Sequence, residues 1–244
     1  MPLVDRIRRC ARSFAAPRPP RAVALLAAML ALLVPLARSH AEKAPEPSPY
    51  PITPELDFKP GMPKRIVVTV PGELYPKAYW YLTYTVTNTN DKPFQYLPTF
   101  ELLDDAGKVH PSANKTLTHE VFDAIKRREG NKLLEPMAKL EGDIQPGEDL
   151  ARDGVAIWPE PMQRMGTFSI FVGGLTGEYV ILKKSGDQWL PINPKNSAAE
   201  LKGVDEKDLK TLRKTLQLTY QVAGDEIRPG EDPIRLKGKR WVMR

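Results

Sequence analysis

Few side chains in this sequence could do chemistry, and they lie far apart. Beyond residue 41 there are two histidines, His110 and His119, nine positions apart. That spacing fits neither one helical turn nor one strand face, so a metal site or a nucleophile–base pair would need partners the sequence does not offer nearby. His110, before Pro111, reads as a loop residue and His119 as an early helix residue. Acids gather at Asp143, Glu148, Asp149 and Asp153 around Pro146-Gly147, and again at Glu226, Glu231 and Asp232 around Pro229-Gly230. Paired carboxylates can act as general acid and base, and carboxylate loops can hold calcium. The spacing matches no calcium loop, and Pro-Gly turns with acidic flanks are common solvated hairpins. Gly173-Gly174-Leu175-Thr176-Gly177 lacks the Lys-Ser or Lys-Thr of a phosphate loop and runs into a strand pattern. It reads as a hairpin connection between FSIFV and EYVIL.

These residues call for no cofactor and no metal, and the chain reads as a non-enzyme. An extracytoplasmic hydrolase using the carboxylates of 143–153 is the alternative. Surface features point to binding instead. Lys126, Arg127 and Arg128, with Lys132 nearby, form a dense basic cluster but contain no aromatic for base stacking, which argues against nucleic acid. Tyr79, Tyr81, Trp158 and Trp189 could stack on sugars or anchor a protein. If Trp80 faces the core, Tyr79 and Tyr81 face away from it. They are then either exposed or covered by a helical insertion. The candidate interaction surface is therefore Tyr79, Tyr81, Trp189, Lys126, Arg127 and Arg128.

Charge is distributed unevenly over the 244 residues. Residues 1–41 hold seven of the 36 basic residues and one of the 30 acids, which leaves 29 of each in the remainder. The net charge of +6 thus comes from the N-terminal segment, and a nucleic-acid reading from global charge loses its basis. That segment has the order of an export signal. A basic region runs to Arg21, an apolar run from Ala22 to Ala37 is interrupted by Pro35, and Ser39 and Ala41 occupy the small-residue positions of a cleavage site. Cleavage is expected after Ala41, delivering a secreted or periplasmic protein; an uncleaved N-terminal anchor is the alternative and would be its one membrane contact. Cys10 precedes the apolar run, so residues 42–244 contain no thiol and no disulfide.

The elements that must position these residues are mostly strands. Residues 42–63 carry Pro45, Pro47, Pro49, Pro51 and Pro54 and read as an extended linker ahead of a domain at 64–244. Period-two alternation predicts strands at RIVVTV, at YWYLTYTV with Trp80, Leu82, Tyr84 and Val86 on one face, and from Phe94 to Leu102, with Pro98 marking an edge or bulge. Further strands are predicted at GVAIW, TFSIFV, EYVILK and TLQLTYQV. A last strand is expected beside TLQLTYQV, spanning Ile234–Leu236 and Arg240–Met243, with IRPGED as the turn and Leu236, Trp241 and Met243 buried. Thr118 and Gly130 bracket a helix with a Val121-Phe122-Ile125 stripe. Ser197 to Glu200 form a capping box, and Asp205 starts another helical turn through Leu209 and Leu212. The fold class is mainly β, an antiparallel sandwich with one or two short helical insertions.

Thr87 to Asn90, Asp104 to Gly107, and Pro146 to Val155 carry a resemblance. A strand ending in a Thr-Asn turn, a strand ending in Asp-x-x-Gly, and a Pro-Gly-Glu turn before a Gly-Val strand resemble secreted bacterial immunoglobulin-like domains of unknown function. The likeness covers about a third of the chain, and the helix near 118–130 and the C-terminal extension depart from it. It implies an immunoglobulin-like sandwich acting as an exported, non-catalytic binding or structural module of the envelope. It transfers no functional residue. The partner is an unknown envelope protein or polysaccharide; a carbohydrate-binding module using exposed aromatics is the other alternative beside the hydrolase.

Overall fold

The computed structural model describes residues 45–113, 117–161, 166–192, 197–222 and 233–244. The expected export signal at 1–41 and the expected acidic IRPGED turn at 226–232 lie outside the described residues. Fourteen strands and two short helices are present among those described. Strand β3 (Lys77–Thr87) organises the first sheet. Strands β1 (Asp57–Pro60) and β2 (Lys64–Val68) pair along one of its edges, and β9 (Arg152–Pro159) along the other. A two-residue strand, β7 (Glu135–Pro136), adds to β9 as a short parallel pair.

The second sheet is built around β13 (Leu209–Val222), the longest strand. One edge of β13 pairs with β14 (Ile234–Met243). The other edge pairs with β10 (Thr167–Gly173) and then with β11 (Tyr179–Ser185). Strands β5 (Thr99–Leu103), β6 (Val109–Pro111) and β12 (Gln188–Pro191) complete the sheet. A small ribbon, β4 (Phe94–Tyr96) with β8 (Gly142–Ile144), stands apart. The result is mainly β, antiparallel and sandwich-like, as the alternation predicts.

The core between the sheets takes one face of each strand. Trp80, Leu82, Tyr84 and Val86 of β3 and Trp158 of β9 meet Phe100 and Leu102 of β5, Phe168, Ile170 and Val172 of β10, and Leu216, Leu218 and Tyr220 of β13. Trp80 packs edge-on against Phe168, and Phe168 stacks on Tyr220. Each buried indole removes ~200 Å² from water, roughly 5 kcal/mol gross at ~25 cal/mol per Å².

A second core lies on the outer face of the first sheet. Helix α1 (His119–Glu129) drops Val121 and Ile125 onto Val68, Val70, Tyr79, Tyr81, Val155 and Ile157. Gly130 ends the helix in the left-handed conformation at φ 65°, where its N–H reaches Lys126 O. Thr118 holds the N-cap position with extended backbone, yet its side chain makes no capping bond.

Several expectations are corrected. The linker reading of 42–63 fails over its second half. Leu56 and Phe58 are core residues, and β1 is part of the first sheet. Proline there is compatible with order because Asp57–Pro60 is an edge strand. Pro98 does not kink one strand; it divides two that join different sheets, β4 with β8 and β5 with β10. The glycine-rich stretch is no hairpin. Strands β10 and β11 run the same way along one edge of β13, and residues between them form an excursion that buries Leu175 and returns to the same track. Leu209 and Leu212 belong to β13, since the turn after Asp205 is a single 3-10 turn, Glu206–Asp208. Helix α2 (Ser197–Leu201) is five residues long. Strand β14 is continuous and pairs with β13 as expected, with a register shift opposite Thr219/Tyr220 next to Gly238. Trp241 and Met243 are half-buried and Leu236 is exposed, so that strand contributes less burial than its apolar residues suggest.

A buried ionic cluster fastens the N-terminal segment to the second sheet. Lys214 points inward, with 2% of its side chain exposed, and its Nζ lies 2.6 Å from Glu55 and 3.1 Å from Glu178. The Ser48 N–H donates to Glu178 at 2.7 Å, and the ammonium stands over the Trp241 ring. Burial pushes the Lys214 pKa down, but the two carboxylates outweigh it and hold it above the usual lysine value. Burial likewise raises Glu178, and the Ser48 amide with Lys214 brings it below the usual range.

Candidate functional site: the open face of the second sheet

The two outer faces of the sandwich differ. On the first sheet, the outward side chains of β3 lie under α1. Tyr79 and Tyr81 are 8% and 0% exposed, so neither is available to stack on a partner. The alternation that sends them away from Trp80 is correct; the helix covers the face they reach. Tyr81 donates to Glu129 Oε1 at 2.6 Å, and Lys64 Nζ sits 2.8 Å from the same carboxylate. Burial raises the Glu129 pKa, but these two partners hold it below the usual range, and the helix end is tied to the sheet. Trp158 is also buried, donating from Nε1 to His110 O at 3.1 Å.

The other predicted site residues are not brought together. Lys126 donates to Leu134 O and stands over Phe122; Arg128 donates to Arg65 O; Arg127 is exposed. All three belong to α1 over the first sheet. Trp189 is half-buried on β12, at an edge of the second. The carboxylates of 143–153 sit on three elements. Asp143 is exposed on β8, Glu148 and Asp149 are exposed on a 3-10 turn, and Asp153 on β9 accepts from Thr85 and Asn131. Among the described residues no three His, Cys, Asp or Glu converge as a metal site.

His110 is a strand residue rather than a loop residue. Strand β6 places its Nε2 2.8 Å from Asp104 across the Asp104–Lys108 turn. Burial raises the Asp104 pKa, but His110 and the amides of Lys108 and Ala106 outweigh it and hold the carboxyl below its ordinary value. His119, at the start of α1, pairs with Asp123 one turn on.

Helix α1 leaves the outer face of the second sheet untouched. Residues two apart share that face, so β13 presents Thr215, Gln217 and Thr219, β10 presents Ser169 and Phe171, β5 presents Glu101, and β14 presents Arg240 and Val242. These side chains are linked. Gln217 Nε2 donates to Ser169 Oγ at 3.1 Å, Ser169 and Thr219 hydroxyls lie 3.1 Å apart, and Arg240 Nε donates to Gln217 Oε1 at 2.8 Å. At one end of this row, a groove of about 660 Å³ opens between the Leu97 bend and the start of β11, with Thr99, Glu101, Phe171, Arg213, Thr215 and Arg244 on its walls. Arg244 pairs with Glu101 at 2.8 Å and lies over the Phe171 ring, 4.0 Å from its centroid. The excursion after β10 shapes the groove floor. Gly174 has φ 84°, and an added Cβ would stand 2.2 Å from Leu97 O.

None of these residues is singled out by sequence reasoning. The one signal available is the stretch 235–244, which holds Arg235, Lys237, Lys239, Arg240 and Arg244 and no acid. Apolar residues dividing the cations hide it beside the contiguous Lys126-Arg127-Arg128. No helix among the described residues is long and apolar enough to cross a membrane. Comparison with protein families, with curated proteins and with solved structures finds no match for the chain.

Proposed function

We propose that the protein is an exported, non-catalytic binding module of immunoglobulin-like type, whose open second-sheet face holds an envelope polysaccharide. The carrying observation is the contrast between the two outer faces. One is closed by α1; the other keeps a linked row in which Arg240 is exposed, Gln217 and Thr219 are half-buried and the buried Ser169 hydroxyl ties them together. Hydroxyls and amides both donate and accept, which suits sugar hydroxyls of either role. Their mutual hydrogen bonds fix the rotamers before a ligand arrives, lowering the ordering cost of binding. Two antiparallel sheets sharing a tryptophan-centred core support the immunoglobulin-like reading. The apolar run of 22–37 with its small-residue cleavage site supports export.

Affinity electrophoresis of the full chain against a neutral galactan and against polygalacturonate tests this reading. At least one polymer is expected to retard the protein. The Q217A/R240A double variant should weaken that binding about tenfold, two lost hydrogen bonds at ~0.7 kcal/mol each, with an unchanged melting temperature. Retardation by neither polymer, or a folded double variant that binds as before, contradicts it.

A further inference from the structure

We infer that the ligand of this face is a linear acidic glycan, with one of its carboxylates seated in the groove between Arg213 and Arg244; the inference rests on the polysaccharide reading above. The backbones of Arg213 and Arg244 exchange both hydrogen bonds, at 2.7 and 3.0 Å. Residues paired in this way stand opposite each other with side chains on the same face. Both line the groove, so two guanidinium groups open onto one space.

Their roles differ. Arg244 is already oriented, held by Glu101 and by the Phe171 ring beneath it. Arg213 is exposed and has no carboxylate partner among the described residues. A planar guanidinium binds a carboxylate through two parallel hydrogen bonds, and stacking on an aromatic ring keeps that fork in place. Glu101 occupies in the free protein the position that a ligand carboxylate would take against Arg244. It is the one acid at the outward positions of β5, β10, β13 and β14.

The charge row continues away from the groove. Arg240 and Arg235 face outward on β14, four and nine residues before Arg244. At ~3.3 Å per residue the row extends roughly 30 Å, which suits a polymer with repeated charges more than a single small anion. The hydroxyl and amide groups of Ser169, Gln217 and Thr219 lie beside this row. An acidic glycan presents carboxylates and hydroxyls together, whereas an acidic peptide presents carboxylates without the hydroxyls this row would read.

The test compares polygalacturonate with its fully methyl-esterified form, with poly-glutamate and with oligo-thymidylate, using the full chain and calorimetric titration. Polygalacturonate should bind at least about tenfold tighter than the ester, and its affinity should fall with added salt. Arg213→Ala should weaken polygalacturonate binding about tenfold while the melting temperature holds. Glu101→Gln keeps the side-chain shape and removes the competing charge, so it should tighten polygalacturonate binding about threefold and leave the ester unchanged. Equal binding of acid and ester, or a folded E101Q protein with unchanged or weaker binding, overturns the inference while leaving a neutral-glycan module standing. Tighter binding of poly-glutamate or oligo-thymidylate overturns it in favour of a peptide or nucleic acid. No retardation by either polysaccharide removes the underlying reading as well.

Discussion

Replacing Lys214 by methionine is expected to destabilise the protein by about 3–5 kcal/mol, because it strands buried carboxylates without their cation. The Lys214 ammonium bridges the carboxylates of Glu55 and Glu178 and also covers Trp241. For a domain of this size the melting temperature should fall by about 6–20 °C at 2–4 °C per kcal/mol. Adding E55Q and E178Q to K214M should recover part of the loss, since neutral side chains cost less to bury unpaired. Depressed Glu178 contributes fully above the ordinary carboxylate range and loses its contribution as pH falls through its folded value. Raised Lys214 contributes fully below the ordinary lysine value and loses its contribution as pH rises through its folded value. Stability from the cluster should therefore be flat between about pH 5 and pH 10. Thermal melts of K214M that match the parent would show that the segment from Ser48 to Phe58 is held by apolar packing alone.

Gly174→Ala should cost roughly 2–5 kcal/mol, with a positive-φ penalty of ~1–2 and overpacking of ~1–3 kcal/mol acting together. The added methyl runs into the Leu97–Pro98 peptide group: Leu97 O at 2.2 Å, Leu97 C at 2.8 Å and Pro98 N at 3.2 Å. No side-chain rotation relieves these contacts, and the bend that carries them sits between strands of different sheets. The excursion also buries Leu175, whose carbonyl accepts from Leu56 N at 2.9 Å, so the damage should spread to the N-terminal segment. Denaturant titration checks the magnitude. A G174A protein within 0.5 kcal/mol of the parent, a typical surface-substitution effect, would mean that the excursion can slide away from Leu97.

Most strands were legible because their two faces differ. In β3, Trp80, Leu82, Tyr84 and Val86 reach the core as their alternation requires. The same alternation was silent on what Tyr79 and Tyr81 meet, because a wet face and a helix-covered face both accept tyrosine. The Val121-Ile125 stripe of α1 supplied the missing half, but the surface it covers is set by topology. Period-two patterns also carry no record of pairing. Strands β10 and β11 look like the arms of a hairpin, and only their common neighbour β13 shows them to be one interrupted track. The candidate site was hidden for the same reason. Glu101, Ser169, Gln217 and Arg240 come from four strands, and each alone reads as an ordinary solvated residue. Their side chains meet because β5, β10, β13 and β14 are neighbours in one sheet.

Chemical-shift mapping of the ¹⁵N-labelled protein during titration with polygalacturonate tests the central claim most directly. The largest changes should fall on Ser169, Gln217, Thr219 and Arg240, the Gln217 side-chain amide included, and on Arg213 and Arg244 at the groove. Changes centred on α1, at Phe122 and Lys126 to Arg128, or a spectrum unaltered at saturating polymer, would contradict it.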